Sequence, residues 1–370
     1  MPGGWLSRTA SLALNVPSAQ VLSPWADDSF LERVVVPDLW PDTVPRPLTR
    51  GEAMQVPAVS RSRHLICATI ARLPLLAMTG ADPAPYQPLW CYSTDGQLGD
   101  LTDEQLARYG LTGGQSPFQR MLATADDILF AGWSLWLVTR QIERGGRLLP
   151  NRMVRIPYGL WDVNPDGELI DPDGHPFTVG PGDQPAAAVL IQGPHEGILT
   201  FGARTIRQAS TLETTAAEVA RTPFRLGLHQ TSEITLTPAE RADLVAEVRR
   251  ALADNQGILF TNSAVEVTEY RLDSAELLIG GRNAAALDVA RHMNLPGAMI
   301  DATSEGSSLE YQTTETRGQQ WLLYGLSAYT DAITAALSMD NVVPAGQRIA
   351  FDATTLTTTT TPTTGVPTAD

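Results

Sequence analysis

LDSAELLIGGRNAAALDVARHMNLPGAMI, residues 272–300, is the stretch on which the reading of the fold turns. It predicts a helix from about Ser274 to Met293, interrupted at Gly280-Gly281, where two residues without side chains weaken a helical run. Pro296 ends it, since proline has no backbone N–H to continue the ladder. Just upstream, residues 237–254 carry a complete start signal. Thr237 is an N-cap, Pro238 takes the first helical position and Glu240 completes a capping box. Leu244, Val245, Val248 and Leu252 make a narrow apolar face, flanked by Arg241, Asp243, Glu247, Arg249 and Arg250. Such a helix packs sideways against neighbours in an assembly or lies on a surface, and the pattern fits both. Between the two helices stand two short strand-like runs, GILFT and AVEVTEYRL.

Downstream, residues 297–309 are Gly- and Ser-rich without periodicity and read as a loop. A helix over about 313–338 follows, with Leu322, Leu326, Tyr329, Ile333 and Leu337 on one face. The strand QRIAFDA then closes the patterned part, and residues 354–370 form a Thr-rich low-complexity tail. Towards the front, residues 202–221 read as a helix and 60–73 as another, with Leu65, Ile66, Ile70 and Leu73 on one face and Pro74 as the stop. Residues 103–131 hold two helices split between Gly110 and Pro117. The strand WSLWLVTRQ alternates around Trp133, Leu135 and Leu137, then turns at Glu143–Arg147 into short strands with Asp-Gly turns at 166–167 and 173–174. Residues 1–58, rich in proline and carrying Trp5, Trp25 and Trp40, read as an irregular arm. It either lies on a neighbouring subunit or orders only in part.

Composition narrows the function. The chain has 370 residues, 43% of them hydrophobic, and a net charge of −15. That is enough apolar material for two or three modules, but a poor charge for gripping DNA, which needs Lys and Arg against phosphate. Cys67 and Cys91 form no CxxC or Cys/His cluster, so no zinc site and no disulfide framework are expected, as in a cytosolic chain. No apolar run approaches a membrane span, and Met-Pro-Gly-Gly-Trp lacks the layout of a signal peptide. There is no GxxxxGK[ST] and no GxGxxG after a strand, and the GLSAY stretch at 325–329 is not a nucleophile elbow. His195-Glu196 as base and orienter is the weaker alternative to a loop histidine bonded to nearby backbone. Asp126-Asp127 and Asp171/Asp173 could take a divalent ion, but paired aspartates are more often solvated. No enzyme, cofactor or metal is therefore expected. Arg249, Arg250, Arg271, Arg282 and Arg291 either touch phosphates or pair with Asp243, Glu247, Asp254, Asp273 and Asp288 between subunits. The interleaving of acids favours the second.

The order of elements resembles the portal proteins of long-tailed bacteriophages (the siphophage type). The likeness rests on ICATIARLPLL at 66–76, on residues 197–227 and 236–267, and on the run Asp273, Arg282, Val289-Ala290-Arg291, Asn294-Leu295-Pro296. Together these cover about half of the chain. The resemblance implies an α+β portal fold: an arm (1–58), a wing (59–236 and 310–353), a two-helix stem (237–255 and 274–296), a small clip (256–273), a tunnel loop (297–309) and a disordered tail (354–370). A crown would be reduced or absent. Gly280-Gly281 departs from the family pattern. The resemblance further implies a homo-oligomeric ring of about twelve subunits closed head to tail at one capsid vertex. DNA would enter and leave through it, and it would meet the major capsid protein, the terminase large subunit and a head–tail adaptor, with no membrane. The protein would then be found in the virion, and in the host cytoplasm during assembly. Asp301, Ser304, Glu305, Ser307 and Ser308 would line the tunnel, and Arg241, Glu247, Arg249, Arg250, Asp273, Arg282, Asp288 and Arg291 would serve the stem and subunit interface. The alternatives are another head–tail connector or minor capsid protein, or an unrecognised hydrolase.

Overall fold

The structure is a computed structural model that describes residues 47–221, 224–230, 237–254, 265–271, 275–300, 302 and 320–352. The chain divides into two compact units, Met1–Gln208 together with Ala284–Asp370, and Ala209–Asn283.

In the larger unit, α1 (Arg50–Gln55) and α2 (Pro57–Arg72) open the described chain. The irregular arm expected up to residue 58 therefore gives way to helix eight residues earlier. Thr49 and Glu52 form a capping box, the local signal that starts α1. Residues 1–46 and the tail 354–370 lie outside the described residues. The predicted face of α2 is buried at Ile66, Ile70 and Leu73, with Leu65 half-buried. After Pro74 the chain enters β1 (Leu75–Thr79), which pairs with β2 (Asp82–Pro83). The short helices α3 (Leu89–Tyr92) and α4 (Asp103–Arg108) follow.

Helix α5 (Pro117–Ala131) begins at a Ser116/Gln119 capping box and ends at Gly132, whose φ is 82°. Glycine is required here twice over: the angle is left-handed, and a Cβ would meet the carbonyl oxygen of His195 at 2.6 Å. The chain then runs into β3 (Trp133–Arg144) and back as β4 (Arg147–Ile156). Four two-residue strands, β5 (Asp162–Val163), β6 (Leu169–Ile170), β7 (Thr178–Val179) and β8 (Gln184–Pro185), make the small turns. They lead to β9 (Ala188–Gln192).

Strand β3 lies between β4 and β9, both antiparallel to it. Alternation predicts one buried face, and that face exists: Leu135 and Leu137 stand opposite Ile156, Val154, Leu190 and Ala188 over Tyr109, Trp161 and Phe177. The other face is buried too, at Ser134, Trp136 and Val138, because α5 covers it. The Trp136 indole donates to Thr124 of α5 at 2.7 Å, and Trp90 meets Trp136 edge-on at 6.1 Å. An aromatic pair of this kind adds about 1 kcal/mol beyond its buried area.

Helices α6 (Ile198–Phe201) and α7 (Ala203–Arg221) follow. In the smaller unit, β10 (Phe224–Gln230), α8 (Pro238–Asp254) and β11 (Val265–Arg271) come before α9 (Ala275–His292). β10 and β11 pair antiparallel over seven residues, from Phe224 opposite Arg271 to Gln230 opposite Val265. The sequence reading names β11 but not β10, and the two strands lie on either side of residue 236 in the chain. The GILFT run lies outside the described residues. Gly280-Gly281 does not interrupt α9: the helix is continuous, and the Gly281 face sits where a Cβ would meet Leu212 at an ordinary 3.7 Å.

Back in the larger unit, Gly297–Ile300 is a 3-10 turn. The late helix is described from Gln320. It opens with a π-helical stretch, Trp321–Leu326, and continues as α10 (Ser327–Leu337). Gly325 lets that stretch pack close to the Asn294 backbone, since a Cβ there would meet its carbonyl oxygen at 2.4 Å. The predicted face is buried at Leu326, Tyr329, Ile333 and Leu337, with Leu322 half-buried. Strand β12 (Arg348–Phe351) then pairs with β1, tying the end of the described chain to its beginning. Among the described residues no helix is long and apolar enough to cross a membrane.

Candidate functional site

Helix α8 starts as the sequence predicts. The Thr237 N–H and hydroxyl both donate to the Glu240 carboxylate at 2.8 Å. These bonds hold the Glu240 carboxyl below its ordinary range, and the first of them satisfies a backbone N–H that a helix start leaves orphaned. On this helix Arg241 and Arg250 are exposed, as is Val245 of the expected apolar face. The side chains of Glu247 and Arg249 lie outside the described residues, and so does Asp273. On α9, Ile279 and Arg282 are exposed, whereas Ala285, Val289, Ala290 and Met293 are buried. Asp288 and Arg291, expected between subunits, pair with each other at 2.5 Å within the helix, and both are largely exposed. All five expected tunnel residues, Asp301, Ser304, Glu305, Ser307 and Ser308, lie outside the described residues. Ile300 and Ala302, beside the first of them, are buried.

His195 is committed to structure. The backbone N–H of Gly197 donates to its Nδ1 at 3.1 Å, which leaves the ring proton on Nε2, 3.0 Å from the Tyr329 hydroxyl. Burial holds its pKa below the usual value. This is the loop histidine bonded to nearby backbone, with a tyrosine added. Phe201 stacks edge-on between His195 and His292, and His292 meets the Thr205 hydroxyl at 3.0 Å.

The paired aspartates are not solvated, contrary to the more common pattern. Asp126 accepts from Arg50 at 2.7 Å and from Arg63 at 2.5 Å. Asp127 accepts from Arg155 and from the Ser134 hydroxyl. Burial of Asp127 outweighs Arg155 and pushes its carboxyl up to about 6. A fourth cation, Arg120, is almost fully buried. It donates to the carbonyls of Met153 and Trp90 and lies 4.7 Å over the Trp136 ring, and burial lowers it to about 10. A cleft of about 460 Å³ runs beside the aspartates, lined by Arg50, Arg63, Leu122, Ala123, Arg155 and Tyr158 among others.

Asp171, Asp173 and His175 do bring ligand atoms within 4.8 Å of one another. However, Asp171 already accepts the backbone N–H groups of Asp173 and His175 and the guanidinium of Arg108. It caps the Asp-Gly turn, and its oxygens are engaged. Sequence reasoning missed the arginines of all these clusters, which lie 28 to 76 residues from their aspartates. The signal available was the apolar setting of Asp126-Asp127 in ADDILFA, where an unpaired carboxylate is too costly to bury.

No family model and no curated protein matches the chain. Solved structures do. The chain is similar to an HK97-family phage portal protein from Corynebacterium diphtheriae, with 29% identity, a TM-score of 0.62 and coverage of 84% of this chain and 97% of that one. It is also similar to a chain from the neck of an empty GTA particle, with 16% identity, a TM-score of 0.50 and coverage of 85% and 87%. The second likeness is one of fold alone.

Proposed function

We propose, for a chain that belongs to the phage portal family by fold and by sequence, that it forms the ring at one capsid vertex through which DNA enters and leaves. The observation that carries this is the likeness to the HK97-family portal protein, which extends over 97% of that chain. It is accordingly read as a structural protein of the virion, and no catalytic role is assigned to it.

The finer reading is a ring of about twelve subunits with a repeated head-to-tail contact. The ring meets the major capsid protein, and a terminase docks on its projecting end during packaging and a head–tail adaptor afterwards. The pairing of β10 with β11 supports widening the clip to residues 224–271, with α8 inside it. Helices α7 and α9, which flank that excursion, then take the stem positions in place of α8. The acidic tunnel loop, with Asp301 and Glu305 and no Lys or Arg between 297 and 309, would repel phosphate and let DNA slide. The sequence carries no Walker motif, so the ATPase that drives the DNA is assigned to the terminase.

Labelling this chain in purified virions tests the location: one labelled vertex per particle is expected, and label on the tail or spread over the shell would favour a connector or shell protein. The lining has its own test. Asp301→Lys with Glu305→Lys slows or blocks packaging in a terminase-driven assay, and unchanged packaging would remove these residues from the lining.

A further inference from the structure

Charge is divided unevenly along the larger unit. Residues 140–155, on β3 and β4, hold five arginines and a single acid, Glu143, in a chain of net charge −15. Residues 157–187, with β5 to β8, hold six acids and no Lys or Arg. Most of these groups are settled within the subunit. Arg140, Arg152 and Arg155 pair with Asp100, Asp95 and Asp127, and Asp171 takes Arg108. Asp183 accepts from Gln105 and from Thr178.

Two cations and two acids at exposed turns are not. At the tip of the β3–β4 hairpin, Arg144 stacks on the Tyr86 ring at 3.9 Å and Arg147 reaches the Asp340 carbonyl at 3.5 Å. These contacts orient both guanidiniums, yet neither meets a carboxylate among the described residues. Leu148 beside them is 64% exposed. On the acidic side, Asp166 and Asp173 stand in the two Asp-Gly turns, exposed and with no Lys or Arg partner among the described residues. Pro165 and Pro172 precede them and are exposed as well. The acidic turns are anchored through Trp161, Val163 and Leu169 on the core around Leu135 and Leu137. Arg144 lies farther along β3, about 23 Å beyond Leu137 at the rise of a strand. The subunit thus carries two separate patches of opposite sign.

We propose that the hairpin tip of one copy of this chain docks on the acidic turns of a second copy, with Arg144 and Arg147 beside Asp166 and Asp173 and Leu148 against Pro165 and Pro172. The proposal rests on the ring reading above and names one of its contacts. Opposite charges rimming a small apolar centre fix register and orientation between partners. Because the two patches differ, the contact is head to tail and repeats from copy to copy, as a closed ring needs.

Charge reversal in the full-length chain tests it, read by native mass as the protein concentration at half assembly, with scaffold supplied where the ring needs it. Arg144→Glu with Arg147→Glu, and separately Asp166→Lys with Asp173→Lys, should each raise that concentration about tenfold or more, since like charges then face one another. All four changes in one chain swap the signs and restore assembly. An equimolar mixture of the two reversed chains recovers too, in rings that alternate between them. Asp166→Asn with Asp173→Asn keeps the turn chemistry and gives a smaller rise, which separates a docking defect from a damaged turn. A ring that assembles equally well after either reversal would overturn this contact and leave the ring reading standing. Loss in both reversed chains, with no rescue by the swap or the mixture, would overturn the pairing of these two surfaces. A chain that stays monomeric even with scaffold would overturn the ring, and this contact with it.

Discussion

The sheet around β3 and the unit Ala209–Asn283 are built to different standards. Strand β3 is covered on both faces, and its polar groups are partnered: Ser134 to Asp127, Trp136 to Thr124, Asp127 to Arg155. Among its described residues, the smaller unit has a two-stranded ladder, with Val245 of α8 and Ile279 of α9 exposed. Two strands alone are marginal in water. The contrast separates a region whose described polar groups and apolar faces are covered from one whose described residues include exposed apolar side chains.

The largest effect is expected in the covered sheet. Asp127→Ala leaves Arg155 without its carboxylate and should cost about 3 kcal/mol, read from the denaturation midpoint. A loss below about 1 kcal/mol would mean that Arg155 is hydrated and the region less closed than described. Gly132→Ala comes next, at about 2 kcal/mol, because it forces a side chain into a left-handed turn and against His195.

Acidity sharpens the comparison within the larger unit. Asp127 titrates near 6 when folded, above its ordinary 3.8. The folded chain therefore holds that proton more tightly, and this contribution is present below about pH 3.8 and lost as pH rises through 6. Asp171, held low by backbone N–H groups and Arg108 despite its burial, has the opposite sign: its contribution is present above the ordinary carboxylate range and lost on acidification. Asp127→Asn should flatten the stability profile between pH 4 and 6, and Asp171→Asn should flatten it only at lower pH. Identical profiles for both variants would contradict the assignment.

In the smaller unit, Ile279→Asp should move the unfolding midpoint by less than about 0.5 kcal/mol, since the side chain is already in water, while reducing assembly. The smallest effect belongs to Arg291→Ala, within about 0.5 kcal/mol, because the pair it breaks is exposed and local.

What was legible in the sequence follows the same divide. The Thr237/Glu240 box, the faces of α2 and α10, and the turn at 143–147 are local signals, and the structure keeps them. Two local signals misled or went unread. Gly280-Gly281 suggests a break, but α9 continues through it. Strand β10 carries period-two alternation at Phe224, Leu226 and Leu228 that went unread, with Pro223 before it and Gly227 within it weakening the strand signal. The ion pairs were out of reach for another reason. Arg50, Arg63 and Arg155 meet their aspartates only through the tertiary fold, and no spacing in the chain announces them. The family resemblance came from the order of weak motifs, and the chain is similar in fold to a solved portal protein over 84% of its length.

The most direct test of the central claim is the native mass of the purified chain, followed by imaging of the particle. The account predicts a closed ring near twelve times 39.9 kDa with a central channel, formed alone or on a scaffold. A compact dimer or tetramer without a channel, unchanged when scaffold is supplied, would contradict it.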